Sequence, residues 1–194
     1  MIKSHIAVVL AAGFSRRYGS DKRLSGTTTP LGVQCIEKVC KHYCNVIVVH
    51  RFDDDELFIN KLKHLNVDLV SAPEYGIGLG TSIATAAKFI LTNEKYKNSA
   101  TISLFLADMP YLLDTTIESL LSVAKENSIV RPTFAEQQGH PVIFGKAYLK
   151  QLSTLCGDEG AKIILRRNKQ NLICVSVNDQ GCIKDIDTAT DWHS

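Results

Sequence analysis

The segment Ile6-Ala-Val-Val-Leu-Ala-Ala-Gly13 decides the fold predicted for this chain of 194 residues. It is apolar without interruption, and residues 6–11 of it are predicted to form a strand covered on both faces of a parallel sheet. Similar runs, rich in β-branched residues, predict six further strands at 46–50, 67–71, 102–107, 129–132, 142–144 and 172–177.

Helical patterns separate most of these runs. Apolar residues at a spacing near 3.6 and end signals predict helices at 30–41, 56–65, 82–91, 113–124 and 163–167. Thr29 before Pro30, Asp114 and Asp158 are the candidate N-caps. The alternation predicts a three-layer α/β fold with a mostly parallel central sheet and helices on both faces. Ligands of such sheets bind beyond the carboxyl ends of the strands, so we look for chemistry there.

Composition narrows the function classes. The formal net charge is only +2, and the basic residues are scattered, which argues against a nucleic-acid partner. The apolar start of the chain is too short for a membrane span and is not followed by a cleavage pattern, so we expect a cytoplasmic protein without membrane contact. The six cysteines lack the Cys-x-x-Cys spacing of zinc sites. Cys40 and Cys44 are four residues apart and could share a helix face, and we expect them to be small buried side chains in a reducing compartment.

The loop after the first strand has the residues of a phosphate-binding loop. Its small residues allow close approach of a ligand to the backbone, and Arg17 and Lys22 place positive charge beside the amides. Neither the P-loop pattern nor the dinucleotide-binding glycine fingerprint is present, which weakens a dehydrogenase interpretation. An exposed loop with solvated basic residues is the alternative.

Acidic and glycine-rich segments follow two later strands. Asp108 comes directly after the run 102–107, where a carboxylate can hold Mg²⁺ over bound phosphates or only begin a turn before Pro110. Three alternating glycines precede Thr81 and Ser82, which suggests an anion site at a helix start or an ordinary turn.

Six ordered motifs resemble NTP-transferase domains of the MobA/MocA type over residues 5–192. They are Leu-Ala-Ala-Gly-x-Ser-x-Arg-x-Gly-x-x-Lys at 10–22, Gly-Ile-Gly-Leu-Gly-Thr-Ser at 76–82, Leu-Ala-Asp-Met-Pro at 106–110, Gly-His-Pro-Val-Ile-Phe at 139–144, Gly-Asp-Glu-Gly-Ala-Lys at 157–162 and Asp-Ile-Asp-Thr-Ala-Thr-Asp at 185–191. The chain departs from the family pattern at Lys162, where arginine is common, and at Ala189 and Thr190. The resemblance implies one nucleotidyltransferase domain over 1–194 with a Rossmann-like fold.

The resemblance also implies roles for individual residues. Lys22, Arg17 and Asp108 would be catalytic, and Mg²⁺ would be held by Asp108 with Asp185 or Asp187. Nucleotide and substrate contacts would come from Leu10, Ala11, Ala12, Gly13, Ser15, Gly80, Thr81, Ser82 and His140. His140 is expected to contact the acceptor rather than act as a base. On residue chemistry alone it could be a structural hydrogen-bond donor, and Asp185 or Asp187 could be a helix cap.

Ala12 together with Gly-His-Pro-Val at 139–142 favours the cytidylyltransferase branch of this family. That branch transfers CMP from CTP to molybdenum cofactor, and transient contact with molybdenum hydroxylases or their chaperones is a family-level expectation. The alternatives are a guanylyl- or other NTP-dependent transferase acting on molybdopterin or on a phosphorylated sugar or alcohol, and a cofactor carrier without turnover. Retention of both Lys22 and Asp108 argues against the carrier.

Overall fold

Strand β1 (Ile2–Leu10) lies inside a mixed sheet and pairs in parallel with a strand on each side. The computed structural model describes residues 2–14, 18–26, 28–54, 56–76 and 78–193. Its further strands are β2 (Tyr43–His50), β3 (Asp68–Ser71), β4 (Thr101–Leu106), β5 (Ile129–Phe134), β6 (Gln137–Gln138), β7 (Val142–Gly145) and β8 (Leu172–Ser176). Its α-helices are α1 (Leu31–His42), α2 (Glu56–Leu62), α3 (Leu79–Thr92), α4 (Asp114–Val123), α5 (Leu149–Leu152) and α6 (Lys162–Arg167).

The strands follow the order β3-β2-β1-β4-β7-β5-β6, and β8 pairs with β5. Strands β3, β2, β1 and β4 run parallel, as does the β5–β8 pair, whereas β7 is antiparallel to both of its neighbours. Val8 of β1 lies opposite Ile47 on one side and Leu104 on the other. Because β1 and β4 are parallel and in register, the residues that follow them emerge together at one edge.

Alternate side chains of β1 pack into two separate hydrophobic cores, one on each face of the sheet. Ile6 and Val8 pack with α3, α5 and α6 on one face of the sheet, while Ala7 and Val9 pack with α1, α2 and α4 on the other. All four side chains are fully buried. The three-layer architecture predicted from the unbroken apolar run is therefore confirmed, and the two-residue β6 and the four-residue α5 are additions.

The three N-caps expected from the sequence are wrong. Pro30 is the N-cap of α1, and α4 begins at Asp114 itself. A distant carboxylate replaces the local cap of α4, because Asp179 Oδ2 accepts from the Leu113 N–H at 2.9 Å and from the Thr116 hydroxyl at 2.6 Å. Helix α6 begins beyond Asp158, with Ala161 as its N-cap.

The cysteines are all free, but only Cys35 and Cys182 are buried, and Cys156 and Cys174 are exposed. The expectation for Cys40 and Cys44 is wrong, because both are only partly buried and Cys44 lies on β2 rather than on a helix. Among the described residues, no helix has both the length and the apolar character needed to span a membrane.

Candidate active site

A cleft of about 350 Å³ opens at the edge where β1 and β4 end. Leu10, Ala12 and Gly13 line it after β1, and Leu106 and Asp108 line it after β4. The far wall comes from the start of α3 and from the loop before α6, through Gly78, Leu79, Ser82 and Asp158. Its position agrees with the rule that α/β sheets bind ligands beyond the carboxyl ends of their strands.

Lys22 reaches the same edge from a 3₁₀ turn at Lys22–Leu24. Its ammonium donates to Asp108 Oδ2 at 2.7 Å, to the Ile186 carbonyl at 2.9 Å and to Asp187 Oδ1 at 3.3 Å. Burial by itself would lower the pKa of Lys22, but the charge of Asp108 and the hydrogen bonds to both carboxylates outweigh it and raise the pKa above its usual value. Lys22 is thus a fixed positive charge at physiological pH.

Three carboxylates meet around this lysine. Asp108, Asp185 and Asp187 each offer an oxygen, and these oxygens lie within 4.8 Å of one another. The chain brings them together through the main-chain N–H of Ile186, which donates to the Asp108 carbonyl at 2.9 Å, while the Ile186 side chain is fully buried. Partial desolvation, with the charges of Asp108 and Asp187, raises the pKa of Asp185.

The carboxylate group fits a divalent cation. Asp108 Oδ1 is buried and accepts no hydrogen bond from the described part of the chain, although its partner oxygen is bound by Lys22. A buried acceptor without a donor is costly unless a ligand satisfies it. Counting these four side chains, three carboxylates and one ammonium leave two negative charges, and Mg²⁺ prefers such oxygen ligands.

A buried ion cluster holds the turn that carries Lys22. The neighbouring Arg23 is 3% exposed and makes two-pronged contacts with Asp21 (2.9 and 2.5 Å) and Asp54 (2.8 and 2.5 Å). Its remaining N–H donates to the Ala11 carbonyl at 2.7 Å, which ties the turn to the end of β1. Arg51 completes the cluster by donating to Asp21 Oδ2 at 2.7 Å.

The expected contacts of the first loop divide between two sides of the backbone. Leu10, Ala12 and Gly13 line the cleft, whereas Ala11 packs into the opposite core. Ser15 and Arg17 lie outside the described residues. Phe14, which none of the sequence motifs indicated, also lines the cleft and lies under the guanidinium of Arg51.

Of the three residues expected at the start of α3, Ser82 lines the cleft. Gly80 instead supports the facing loop, because its N–H donates to the Gly157 carbonyl at 2.8 Å. Thr81 is engaged by the same loop, since it donates to the Gly76 carbonyl and accepts from the Gly157 N–H.

His140 lies beside the cleft rather than in its wall. It lines an adjoining cavity of about 120 Å³ that shares Leu10, Leu79 and Leu106 with the cleft. Burial and the charge of Arg131 lower the pKa of His140 to about 4, so the imidazole is neutral at pH 7.

Comparison with known proteins gives this geometry a family context. Residues 7–172 match the model of the MobA-like NTP transferase domain. The molybdenum cofactor cytidylyltransferase of Escherichia coli K12 is 24% identical over 198 residues, covering 95% of this chain and 92% of that protein.

Two solved structures from mycobacteria have the same fold. The Mycobacterium tuberculosis Rv0371c homologue from Mycobacterium sp. strain JC1 superposes with a TM-score of 0.82 at 25% identity, covering 99% of this chain and 94% of that one. Rv0371c from M. tuberculosis, in complex with manganese, gives a TM-score of 0.76 at 21% identity, covering 97% and 96% of the two chains.

Proposed function

We infer that this chain, which belongs to the family of MobA-like NTP transferase domains, transfers CMP from CTP to molybdenum cofactor and releases pyrophosphate. The family makes it a nucleotidyltransferase. The observation that carries the proposal is that Lys22 donates both to Asp108, which lines the cleft, and to Asp187. We propose that residues 1–194 act as a single catalytic domain.

The reaction needs no protein nucleophile. A phosphate oxygen of the acceptor forms a bond to the α-phosphorus of CTP, and the bond from that phosphorus to the bridging oxygen of pyrophosphate breaks. Positioning and charge stabilisation supply the catalysis in such transfers. The cleft beyond β1 and β4 would hold the nucleotide, with the backbone of Ala12 and Gly13 close to its phosphates.

Lys22 would neutralise charge that builds on the departing pyrophosphate, and we propose the same role for Arg17. Arg23 would keep Lys22 in this position through its hydrogen bonds to Asp21 and Asp54. Asp108, Asp185 and Asp187 would hold Mg²⁺. The ion supplies positive charge that orients and screens phosphate oxygens. Because one structural relative was solved with manganese, both metals need to be compared.

Support for CTP comes from Ala12 and from the name of the E. coli relative. Ala12 is 6% exposed and lines the cleft, so its methyl group takes up space that a glycine would leave open. A smaller pyrimidine base suits this restriction better than a purine does.

The test is calorimetric titration with CTP, GTP, ATP and UTP in the presence of Mg²⁺ or Mn²⁺. We expect metal-dependent binding of CTP, and loss of both metal-dependent binding and pyrophosphate release in Asp108→Asn. The folded state of that variant should persist, because Asp108 is partly exposed at the sheet edge. Asp114→Asn is the matched control, since it removes the same charge from an exposed position on α4.

Each other outcome has a distinct meaning. Preference for a different NTP would keep the reaction class and overturn the choice of CTP. Binding of no NTP, both alone and with molybdenum cofactor present, would contradict transfer and favour a carrier. Unfolding of Asp108→Asn would assign that carboxylate a structural role.

A further inference from the structure

The charged groups of the candidate site come from three separate segments of the chain, and each segment also carries an aromatic residue. Tyr18 precedes the lysine, Tyr111 follows the carboxylate at the end of β4, and Trp192 follows the other two carboxylates. Two hydrogen bonds join these aromatic residues. The indole N–H of Trp192 donates to the Tyr18 hydroxyl at 3.1 Å, and the Tyr111 hydroxyl donates to the Trp192 carbonyl at 3.1 Å. We call the three residues the aromatic clasp.

The clasp covers a small apolar core beneath the carboxylates. Leu31 and Cys35 of α1 are buried there together with Ile186, and Tyr18 and Trp192 pack against them. The buried isoleucine lies between the two carboxylates of the C-terminal segment in the sequence. A side chain fixed in this core therefore fixes the backbone from which both of those carboxylates project.

A hydrogen-bonded turn links the indole to the last carboxylate of the cluster. Asp191 Oδ2 accepts from the main-chain N–H of Asp187 at 2.9 Å, from the N–H of Thr188 at 2.6 Å and from the Thr188 hydroxyl at 2.9 Å. Because Asp191 directly precedes Trp192, the position of the indole constrains this turn. The turn in turn constrains Asp187.

The carboxylates need such support because they repel one another. Their oxygens lie within 4.8 Å of one another, and the ammonium of Lys22 supplies a single positive charge among them. Beyond β8, the described residues form only 3₁₀ turns and irregular segments. Regular secondary structure therefore does not hold this part of the chain in place, and its contacts with the rest of the protein must do so.

We propose that Tyr18 and Trp192 are positioning residues for the metal, and that the hydrogen bond between them holds Asp185 and Asp187 beside Asp108. The inference rests on the proposed function, because it assigns these carboxylates to the ion used in that reaction. Carboxylates that are already gathered bind a cation more tightly, since their ordering does not have to accompany binding. Residues that orient metal ligands in this way commonly affect metal affinity. A clasp that only fastens the end of the chain would affect stability and leave metal affinity unchanged.

The experiment measures binding of Mn²⁺ alone to the full chain, from the EPR signal of the free ion. Asp108→Asn should abolish this binding, which would locate the ion at the cluster. Tyr18→Phe keeps the ring and removes the hydroxyl, so it should weaken Mn²⁺ binding about three- to tenfold through the loss of one hydrogen bond. Tyr75→Phe is the matched control, because it removes the same hydroxyl from a residue that is 80% exposed, and it should bind Mn²⁺ as the parent does.

A double-mutant cycle shows whether the two residues act through their shared bond. Trp192→Phe keeps an aromatic ring and removes the N–H, and it should also weaken Mn²⁺ binding about three- to tenfold. Once that N–H is gone, adding Tyr18→Phe should cause no further loss. Additive losses would overturn the inference, as would equal weakening in Tyr75→Phe. Unchanged Mn²⁺ affinity in Tyr18→Phe would overturn it too, even if urea denaturation showed a loss of stability.

Mn²⁺-dependent binding of CTP, measured in parallel, separates this inference from the proposed function. A parent that binds both Mn²⁺ and CTP, with unchanged Mn²⁺ affinity in the clasp variants, overturns the inference and leaves nucleotidyl transfer intact. A parent that binds Mn²⁺ but no NTP, with weakened Mn²⁺ binding in the variants, supports the positioning role and contradicts transfer. A parent that binds no Mn²⁺, either alone or with CTP, overturns both.

Discussion

Replacing Arg23 by methionine tests whether the buried ion cluster holds the catalytic turn. The substitution leaves a similar stem over Phe58 but removes five N–H donors from Asp21, Asp54 and the Ala11 carbonyl. The Asp54 side chain is 1% exposed, so its carboxylate would remain buried with less compensation. Breaking such a buried pair costs about 3–5 kcal/mol, against below about 1 kcal/mol for an exposed pair.

The lower end of that range applies here. Arg51 still donates to both carboxylates and is itself partly open to solvent, so part of the charge remains compensated. We expect the free energy of unfolding to fall by about 3 kcal/mol, which lowers Tm by about 6–12 °C for a chain of this length. Urea denaturation at pH 7 measures the free energy, and thermal melting measures Tm.

The double variant Arg23→Met with Asp54→Asn sharpens the test. Removing the Asp54 carboxylate, which Arg23→Met leaves buried without its partner, should restore part of the lost stability. The losses caused by two unrelated packing defects would instead add. Arg166→Met should change the free energy of unfolding by less than about 0.5 kcal/mol, as is usual for exposed sites. A loss below about 1 kcal/mol in Arg23→Met, or simple additivity in the double variant, would refute the argument from burial.

Three further predictions concern pH, close packing and protonation. Hydrogen bonds and ion pairs hold the pKa of Asp54 below its unfolded value in spite of burial, so the Asp54 carboxylate stabilises the fold above about pH 4. Urea denaturation should show this contribution declining as the pH falls from about 4 toward the folded pKa, and a free energy of unfolding that stays constant down to about pH 3 would contradict it. Gly80→Ala would place a methyl group 2.7 Å from a main-chain oxygen of the facing loop and should lower the free energy of unfolding by about 1–3 kcal/mol. The methyl group of Gly13→Ala meets nothing within 4 Å and should leave the free energy of unfolding unchanged, so equal losses in the two variants would argue against a specific close contact. NMR titration of His140 should give a midpoint of about 4 that rises in Arg131→Met because a repelling charge is removed, and a midpoint near 6.5 would show that the ring is not desolvated.

The sequence predicted the strands well, most clearly for β1 and β4, because parallel strands buried on both faces are apolar without interruption. All seven predicted strands were found, and the run at 102–107 correctly located Asp108 at the end of β4. The helix starts were less predictable, since a cap supplied from far along the chain has no local signature. Asp179, which serves α4, lies 65 residues beyond the start of that helix.

The chemistry of the site was predictable only where its residues belong to recognisable motifs. Lys22 and the three carboxylates occur in recognisable motifs, and the structure brings them together. Their positions are described here, while their roles remain predictions. The supporting residues could not be found, because the charges of Asp54 and Arg51 look like ordinary surface charges in the sequence.

The late position of Asp185 and Asp187 has an evolutionary consequence. The segment matched by the family model ends at Leu172, the first residue of β8, whereas two of the three clustered carboxylates follow it. The proposed metal site could therefore be lost through substitutions at Asp185 and Asp187 alone, while the sheet that carries Asp108 stays unchanged. On the proposed function, a catalyst and a nucleotide-binding protein without turnover could differ at those two positions only.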